Sequence, residues 1–225
     1  MTQTTQMTHA IKAVLWDMDG TLADSEALHL ATLVAVLKHH GIEPNDNLHA
    51  SIFGKTAREV HTLCRELFGV DFDYDDWSMA RARHYVSEAI NMRPRHGALS
   101  VYRAVRAAGI RQAIVSNSSR MLLEAGLRAL DLQDPQLISI STNDVRDGKP
   151  HPEPYERAAW LLRIEPDEAI VVEDSPTGAR AAIAAGMRVL AWPEHPDAAR
   201  SFPDGAELVF SEHELAAALG VRINS

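Results

Sequence analysis

The apolar positions of the chain fall into two rhythms. A short run, Val14, Leu15 and Trp16, stops at Asp17 and Asp19 within AVLWDMDGTLAD, as a buried parallel strand does where it reaches the surface. From Ala98 onward, apolar runs alternate with helical spacing. Strands are expected at Gln112–Val115, Leu137–Ile140, Ala169–Val172 and Arg188–Ala191, with an edge strand at Glu207–Phe210. Helices are expected at Leu99–Ala108, Met121–Leu130, Glu153–Leu162, Thr177–Ala185 and Glu212–Leu219. Two junctions, AAGIR and AAGMR, share one grammar: small residues, a capping glycine, then a strand. Strands alternating with helices imply βαβ units and a parallel sheet.

Between the first strand and this region the pattern is helical throughout. Ser25–His40, closed by Gly41, and the stretches Leu48–Phe68 and Asp76–Asn91 carry helical spacing with almost no β-branched alternation. The fold class expected is therefore α/β, a Rossmann-like parallel sheet with an inserted all-helical domain. The core takes residues 10–23 and 95–225, and the insert takes 24–94. Hinges are expected near Leu22–Ser25 and Met92–Gly97, where Pro94 and Gly97 punctuate the chain. Residues 1–9, polar and rich in Thr and Gln, read as a frayed tail rather than a signal peptide.

Composition narrows the partners. In 225 residues, 46% are hydrophobic and 24% charged, ordinary for a globular chain, and the formal net charge of −9 argues against nucleic acid or an anionic membrane. No apolar run is long enough for a membrane span, so a cytoplasmic protein is expected. The single cysteine, Cys64, excludes an intrachain disulfide and a thiolate metal cluster, and suits a small buried hydrophobe on a helix.

The chemistry-bearing residues stand just past the predicted strands, where ligands of open α/β sheets bind. Asp17 and Asp19 repel one another, and a cation between them is the natural relief. Gly20 and Thr21 follow at once. After Val115 come Ser116, Asn117 and Ser118, polar groups at a helix start that suit a phosphate cradle, although a plain N-cap reads the same way. After Ile140 a proline-rich loop presents Lys149 before Pro150, a point charge for a phosphate or else a solvated lysine. His151 reads as a loop histidine. After Val172 come Glu173 and Asp174, with Ser175 as N-cap and Pro176 at the first helical position. With Asp17 these acids would make an all-oxygen site, which suits Mg²⁺ and disfavours zinc or copper. GKT at 54–56 is not a P-loop, because His49 stands where that motif needs a glycine.

Taken together and in order, DMDGT, SNS, GKP and EDSPTG resemble the four motifs of the haloacid dehalogenase superfamily. The helical block resembles its cap inserted between the first two motifs. The resemblance spans Ala13–Leu190 and is closest to the branch of phosphoglycolate-type and sugar-phosphate phosphatases and β-phosphoglucomutase. It implies that Asp17 is the nucleophile and Asp19 the general acid/base, whose backbone carbonyl also meets Mg²⁺. It implies that Thr21, Ser116, Asn117 and Lys149 hold the phosphoryl group, and that Asp17, Asp19, Asp174 and Glu173 serve the metal, Glu173 either directly or from behind. The namesake dehalogenases lack the second acid, so Asp19 points to phosphoryl chemistry.

The loop FGKTARE resembles the cap's specificity loop, making Lys55, Thr56 and Arg58 candidates to touch the substrate. His29 stands where the mutase carries a catalytic histidine, and a hinge-surface histidine is the alternative. The expectation is a Mg²⁺-dependent phosphatase acting on a small phosphorylated metabolite, a sugar phosphate first. A phosphosugar mutase and a non-catalytic phosphate-binding regulator are the rivals.

Overall fold

The structure, a computed structural model, describes residues 11–45, 47–52 and 57–223. The expected frayed tail lies outside the described residues. In chain order the elements open with β1 (Ala13–Trp16), β2 (Ala23–Asp24) and four helices, α1 (Glu26–His39), α2 (Leu48–Ile52), α3 (Ala57–Phe68) and α4 (Tyr74–Glu88). Next come β3 (Arg93–Pro94), α5 (Ala98–Ala107), β4 (Arg111–Val115), α6 (Arg120–Ala129), β5 (Ile138–Ile140) and α7 (Glu153–Leu162). The chain continues through β6 (Ala169–Glu173), α8 (Pro176–Ala184), β7 (Arg188–Ala191), β8 (Ala206–Leu208) and α9 (Glu212–Ala218).

Six strands form one sheet in the order β5-β4-β1-β6-β7-β8, and every neighbouring pair is parallel. The sheet is buried on both faces, which is why its strands read as continuous apolar runs. Side chains alternate across it with period two. Val14, Trp16, Ile114 and Val172 face a cluster with Val101 of α5, Leu123 of α6 and Leu215 of α9. Ala13, Leu15, Val115 and Val171 face the opposite cluster, with Tyr155 and Ala158 of α7 and Ala182 of α8. The buried indole of Trp16 donates to Gln112 Oε1 at 2.7 Å, so its polar atom is satisfied. β1 lies between β4 and β6, so its C-terminal end opens at the middle of the sheet edge.

The helical stretch has a cluster of its own, Leu33, Val36, Leu37, Leu48, Val60, Cys64 and Trp77. Cys64 is buried there as a free thiol, as its sequence suggested. At its base β2 and β3 pair antiparallel, Ala23 with Pro94 and Asp24 with Arg93. This two-rung ribbon is too short to show a strand pattern in sequence. The expected Leu48–Phe68 helix is two helices, α2 and α3, separated by residues outside the described set. The next helix begins earlier than expected, at Tyr74, because Asp73 caps it by accepting from the backbone N–H groups of Asp75 and Asp76. No helix among the described residues is long and apolar enough to cross a membrane.

Leu15 is fully buried in the central strand. Leu15→Ala should lower the unfolding free energy by about 2–5 kcal/mol in urea titration, the cost of lost transfer energy plus a residual cavity.

Candidate active site

Four loops at the C-terminal edge of the sheet bring the polar residues of the motifs together. Beyond β1, the chain turns sharply. Gly20 adopts φ +86°, and its N–H donates to Ala23 O at 2.8 Å. A Cβ on Gly20 would lie 2.1 Å from Asp174 Oδ2, so only glycine leaves room for that carboxylate. Thr21, fully buried, donates its hydroxyl to Asp174 Oδ1 at 3.1 Å.

Lys149 is the centre of the site. Its ammonium donates to Asp17 Oδ1 at 2.5 Å, Glu173 Oε1 at 2.6 Å and Val115 O at 2.8 Å. The lysine is 4% exposed and Glu173 is wholly buried, so this is an interior ion triad and not a solvated pair. The loop that delivers the lysine has a cis Lys149–Pro150 peptide. Asn117 clamps that loop: its Oδ1 accepts from Lys149 N at 2.8 Å, and its Nδ2 donates to Lys149 O at 3.0 Å. The Asn117 side chain is thus engaged by the lysine's backbone.

Glu173 is fully occupied by protein donors. Oε1 receives Lys149 and the Tyr155 hydroxyl at 2.7 Å, and Oε2 receives the Ser175 hydroxyl at 2.9 Å. Gly178, in the first turn of α8, makes space for it, since a Cβ there would lie 1.7 Å from Glu173 Oε1. Ser175 caps α8 as its sequence suggested, accepting from Gly178 N.

Asp19 faces the helical block. Oδ1 accepts from Ser25 Oγ at 2.8 Å and Tyr85 OH at 3.3 Å, and lies 3.1 Å from His29 Nε2. Oδ2 accepts from Ser116 Oγ at 3.1 Å and Ser118 Oγ at 2.8 Å. Burial opposes its ionisation, but the hydrogen bond and charge of His29 and the hydroxyls of Ser118 and Ser25 outweigh it. Together they hold its pKa below the usual carboxylate range.

The other acids are driven the opposite way. Burial first, then the charge of Glu173, pushes Asp17 well above its ordinary pKa, while Lys149 pulls it back. Burial and Glu173 likewise raise Asp174 to about 7. Burial would lower the pKa of Lys149, but Asp17 and Glu173 more than compensate and raise it. Three acids therefore share one buried ammonium, and one oxygen from each of Asp17, Glu173 and Asp174 lies within 4.8 Å of the others. This is a hard-oxygen donor set with unmet negative charge, which fits a divalent cation.

The arrangement also involves residues that the sequence did not single out. Tyr155 supports Glu173 and packs its ring 4.9 Å from the lysine nitrogen. Tyr85 reaches Asp19 from α4 with its ring stacked near His29, centroids 4.8 Å apart. Arg95, just past β3, donates to Gly20 O at 2.8 Å, Trp192 O at 2.7 Å and Pro193 O at 2.8 Å, and lies flat on Trp192. Burial lowers its pKa, and the charge of Asp174 is the strongest influence in the other direction. It pins the first-motif turn to the loop after β7.

Among the cap candidates, His29 joins the site. Arg58 instead stacks on Tyr74 within the helical block, 4.2 Å from the ring centroid. Lys55 and Thr56 lie outside the described residues. His151 sits in a second acidic group with Asp147 and Glu153. There Glu153 accepts from the backbone N–H groups of Arg146 and Asp147, and His151 Nδ1 accepts from Glu153 N, so the group staples its own loop.

A carboxyl with a raised folded pKa stays protonated in the native state after it has ionised in the unfolded chain. Its contribution to stability is then lost as pH rises from about 4 through about 7. With divalent ions chelated, thermal melting should therefore show a lower Tm at pH 7.5 than at pH 5. Asp174→Asn should reduce that difference, leaving the part that Asp17 contributes, and added Mg²⁺ should raise the parent's Tm at pH 7.5.

Comparison with known proteins places this geometry. The model of the haloacid dehalogenase-like hydrolase family matches residues 14–192. Hexitol phosphatase A of Escherichia coli (strain K12) is 32% identical over 183 residues, covering 80% of this chain and 82% of its own. Validoxylamine A 7'-phosphate phosphatase of Streptomyces hygroscopicus subsp. limoneus is 29% identical over 179 residues, 78% of this chain and 83% of its own. The crystal structure of CbbY from Rhodobacter sphaeroides in complex with phosphate superposes with a TM-score of 0.80 at 25% identity, covering 94% of this chain and all of that one. With four motif loops converging on one carboxylate–lysine cluster and a family match across most of its length, the chain belongs to the haloacid dehalogenase-like hydrolases.

Proposed function

We propose that this protein is a Mg²⁺-dependent phosphatase that hydrolyses a small phosphorylated metabolite, a sugar phosphate first, through an aspartyl-phosphate on Asp17. The observation that carries the reading is the Asp17–Lys149 contact at 2.5 Å, inside a buried group of acids with too little positive charge. The relatives named hexitol phosphatase A and validoxylamine A 7'-phosphate phosphatase support it.

Asp17 attacks phosphorus in line: a bond forms from its carboxylate oxygen as the ester oxygen departs with the electron pair. Lys149 keeps the nucleophile oriented and offsets the repulsion between carboxylate and phosphoryl oxygens. It does so in a buried site where each such interaction is stronger than in water. Glu173, held by Tyr155 and Ser175, fixes the lysine from behind, leaving Asp17, Asp174 and the Asp19 carbonyl as the metal-facing oxygens. When bound there, Mg²⁺ supplies the positive charge that the three acids lack.

Asp19 protonates the leaving oxygen only after a bound substrate displaces the hydroxyl donors and lets it take up a proton from solvent. It later takes a proton from the water that attacks the phosphoryl-aspartate. The donors seen on Asp19 favour the charged form, the one needed for the second step. Ser116, Ser118 and Thr21 bring hydroxyls to the same space. The helical block excludes water by covering Asp19 with His29 and Tyr85.

Purified protein should release inorganic phosphate from p-nitrophenyl phosphate and from members of a sugar-phosphate panel in MgCl₂, and lose that activity in excess EDTA. Asp17→Asn should reduce turnover at least about 1,000-fold while the protein stays folded by circular dichroism. Parent-like turnover by that variant, or conversion of a sugar phosphate to its isomer without phosphate release, would overturn the reading.

A further inference from the structure

A lysine ammonium has three hydrogens to donate, and Lys149 spends all of them on the protein. They go to Asp17 Oδ1 at 2.5 Å, Glu173 Oε1 at 2.6 Å and Val115 O at 2.8 Å. Two of these acceptors are carboxylates, so the lysine is pulled both ways. How its charge divides between them depends on what else each carboxylate accepts. Among the described residues, Lys149 is the one side chain that donates to the Asp17 carboxylate. Glu173 differs. Its Oε1 also accepts from the Tyr155 hydroxyl at 2.7 Å, while its Oε2 takes Ser175 Oγ at 2.9 Å and Ser175 N at 3.2 Å.

Tyr155 comes from the same stretch of chain as the lysine, six residues on, in the first turn of α7. It is fully buried, as Glu173 is, and its ring centroid lies 4.9 Å from Lys149 Nζ. A phenylalanine would fill the same slot, so packing accounts for the ring and not for the hydroxyl. A carboxylate oxygen only accepts, which makes the phenol the donor in this contact. Its O–H dipole turns a positive end to Oε1. In a buried site that offsets part of the pull this oxygen exerts on the ammonium. Ser175 acts on the other oxygen, which does not touch the lysine, so its donors fix the carboxylate without competing for the same atom.

We propose that Tyr155 is a positioning residue for the reaction: its hydroxyl shares Glu173 Oε1 with the ammonium and so biases Lys149 toward Asp17 and the phosphoryl group to be transferred. The inference rests on the phosphatase reading above and adds to it a residue that never meets the substrate. Without the hydroxyl, the ammonium is the sole donor to Oε1 and is drawn toward Glu173. Less positive charge then faces Asp17 as its carboxylate meets the phosphoryl oxygens. That loss falls on the transition state, where the charge is redistributed, more than on substrate binding.

The test uses the full-length protein in MgCl₂ with p-nitrophenyl phosphate and with a sugar phosphate that the parent hydrolyses. Tyr155→Phe should lower kcat about tenfold while KM and the half-activating Mg²⁺ concentration stay within about twofold of the parent. In a Glu173→Gln background the same change should cost less than about twofold, because a neutral amide leaves the phenol little pull to offset. A parent-like kcat for Tyr155→Phe would overturn the assignment. So would a loss carried by KM, or an equal loss in both backgrounds. If Glu173→Gln alone shows no measurable turnover, the split between kcat and KM decides. Loss of native secondary structure in Tyr155→Phe by circular dichroism would make the hydroxyl an element of the fold and overturn the assignment too. A parent that releases no phosphate sinks the phosphatase reading and Tyr155 with it, whereas an active parent matched by its Tyr155→Phe variant sinks Tyr155 alone.

Discussion

A single buried ammonium organises this molecule. Lys149 sits among Asp17, Glu173 and the carbonyl of Val115, groups supplied by three neighbouring strands of the sheet. Taking charges out of water is expensive, and further hydrogen bonds around the lysine and its neighbours offset that cost. Tyr155 and Ser175 hold Glu173, Asn117 holds the lysine's own peptide, and Thr21 holds Asp174. The negative charge still exceeds the positive. That imbalance makes the site receptive to a cation and fits the proposed attack of Asp17 on phosphorus.

Much of this was legible in the sequence because the sheet is buried on both faces. Continuous apolar runs mark its strands, and the polar residues that end them necessarily emerge on one edge. Asp17, Asp19, Lys149, Glu173 and Asp174 could therefore be read as neighbours despite their separation along the chain. The elements that escaped detection are those whose pattern is too short or whose role depends on packing. The β2–β3 ribbon has two rungs and contains a proline. Tyr155 occupies an ordinary inward position on α7, and nothing local distinguishes a core tyrosine from one whose hydroxyl supports a carboxylate. Arg95 reads as one more hinge charge until its three carbonyl partners are seen. Asn117 lies inside a recognisable motif, yet its partner is fixed by the path of a distant loop.

The helical block meets the core through the same carboxylate that the proposed mechanism uses as its acid and base. Asp19 accepts from Ser25, His29 and Tyr85 on one oxygen and from Ser116 and Ser118 on the other, so it bridges the two halves of the fold. Under the proposed mechanism, any separation of the block from the core would therefore also change the donors on the acid/base. A substrate that displaces any of these hydroxyls alters the proton affinity of Asp19 and loosens its tie to α4 at once.

The clamp of Asn117 on the Lys149 peptide has a wider reach than its two hydrogen bonds suggest. A side chain at Gly148 would bring a Cβ within 2.7 Å of Asn117 Oδ1, so the two loops interlock by shape as well as by polarity. The exits of β4 and β5 consequently behave as one rigid jaw, and a change in either loop is transmitted to the other. Redesign of this enzyme's reactive edge would have to treat residues 116–118 and 148–150 as a single unit.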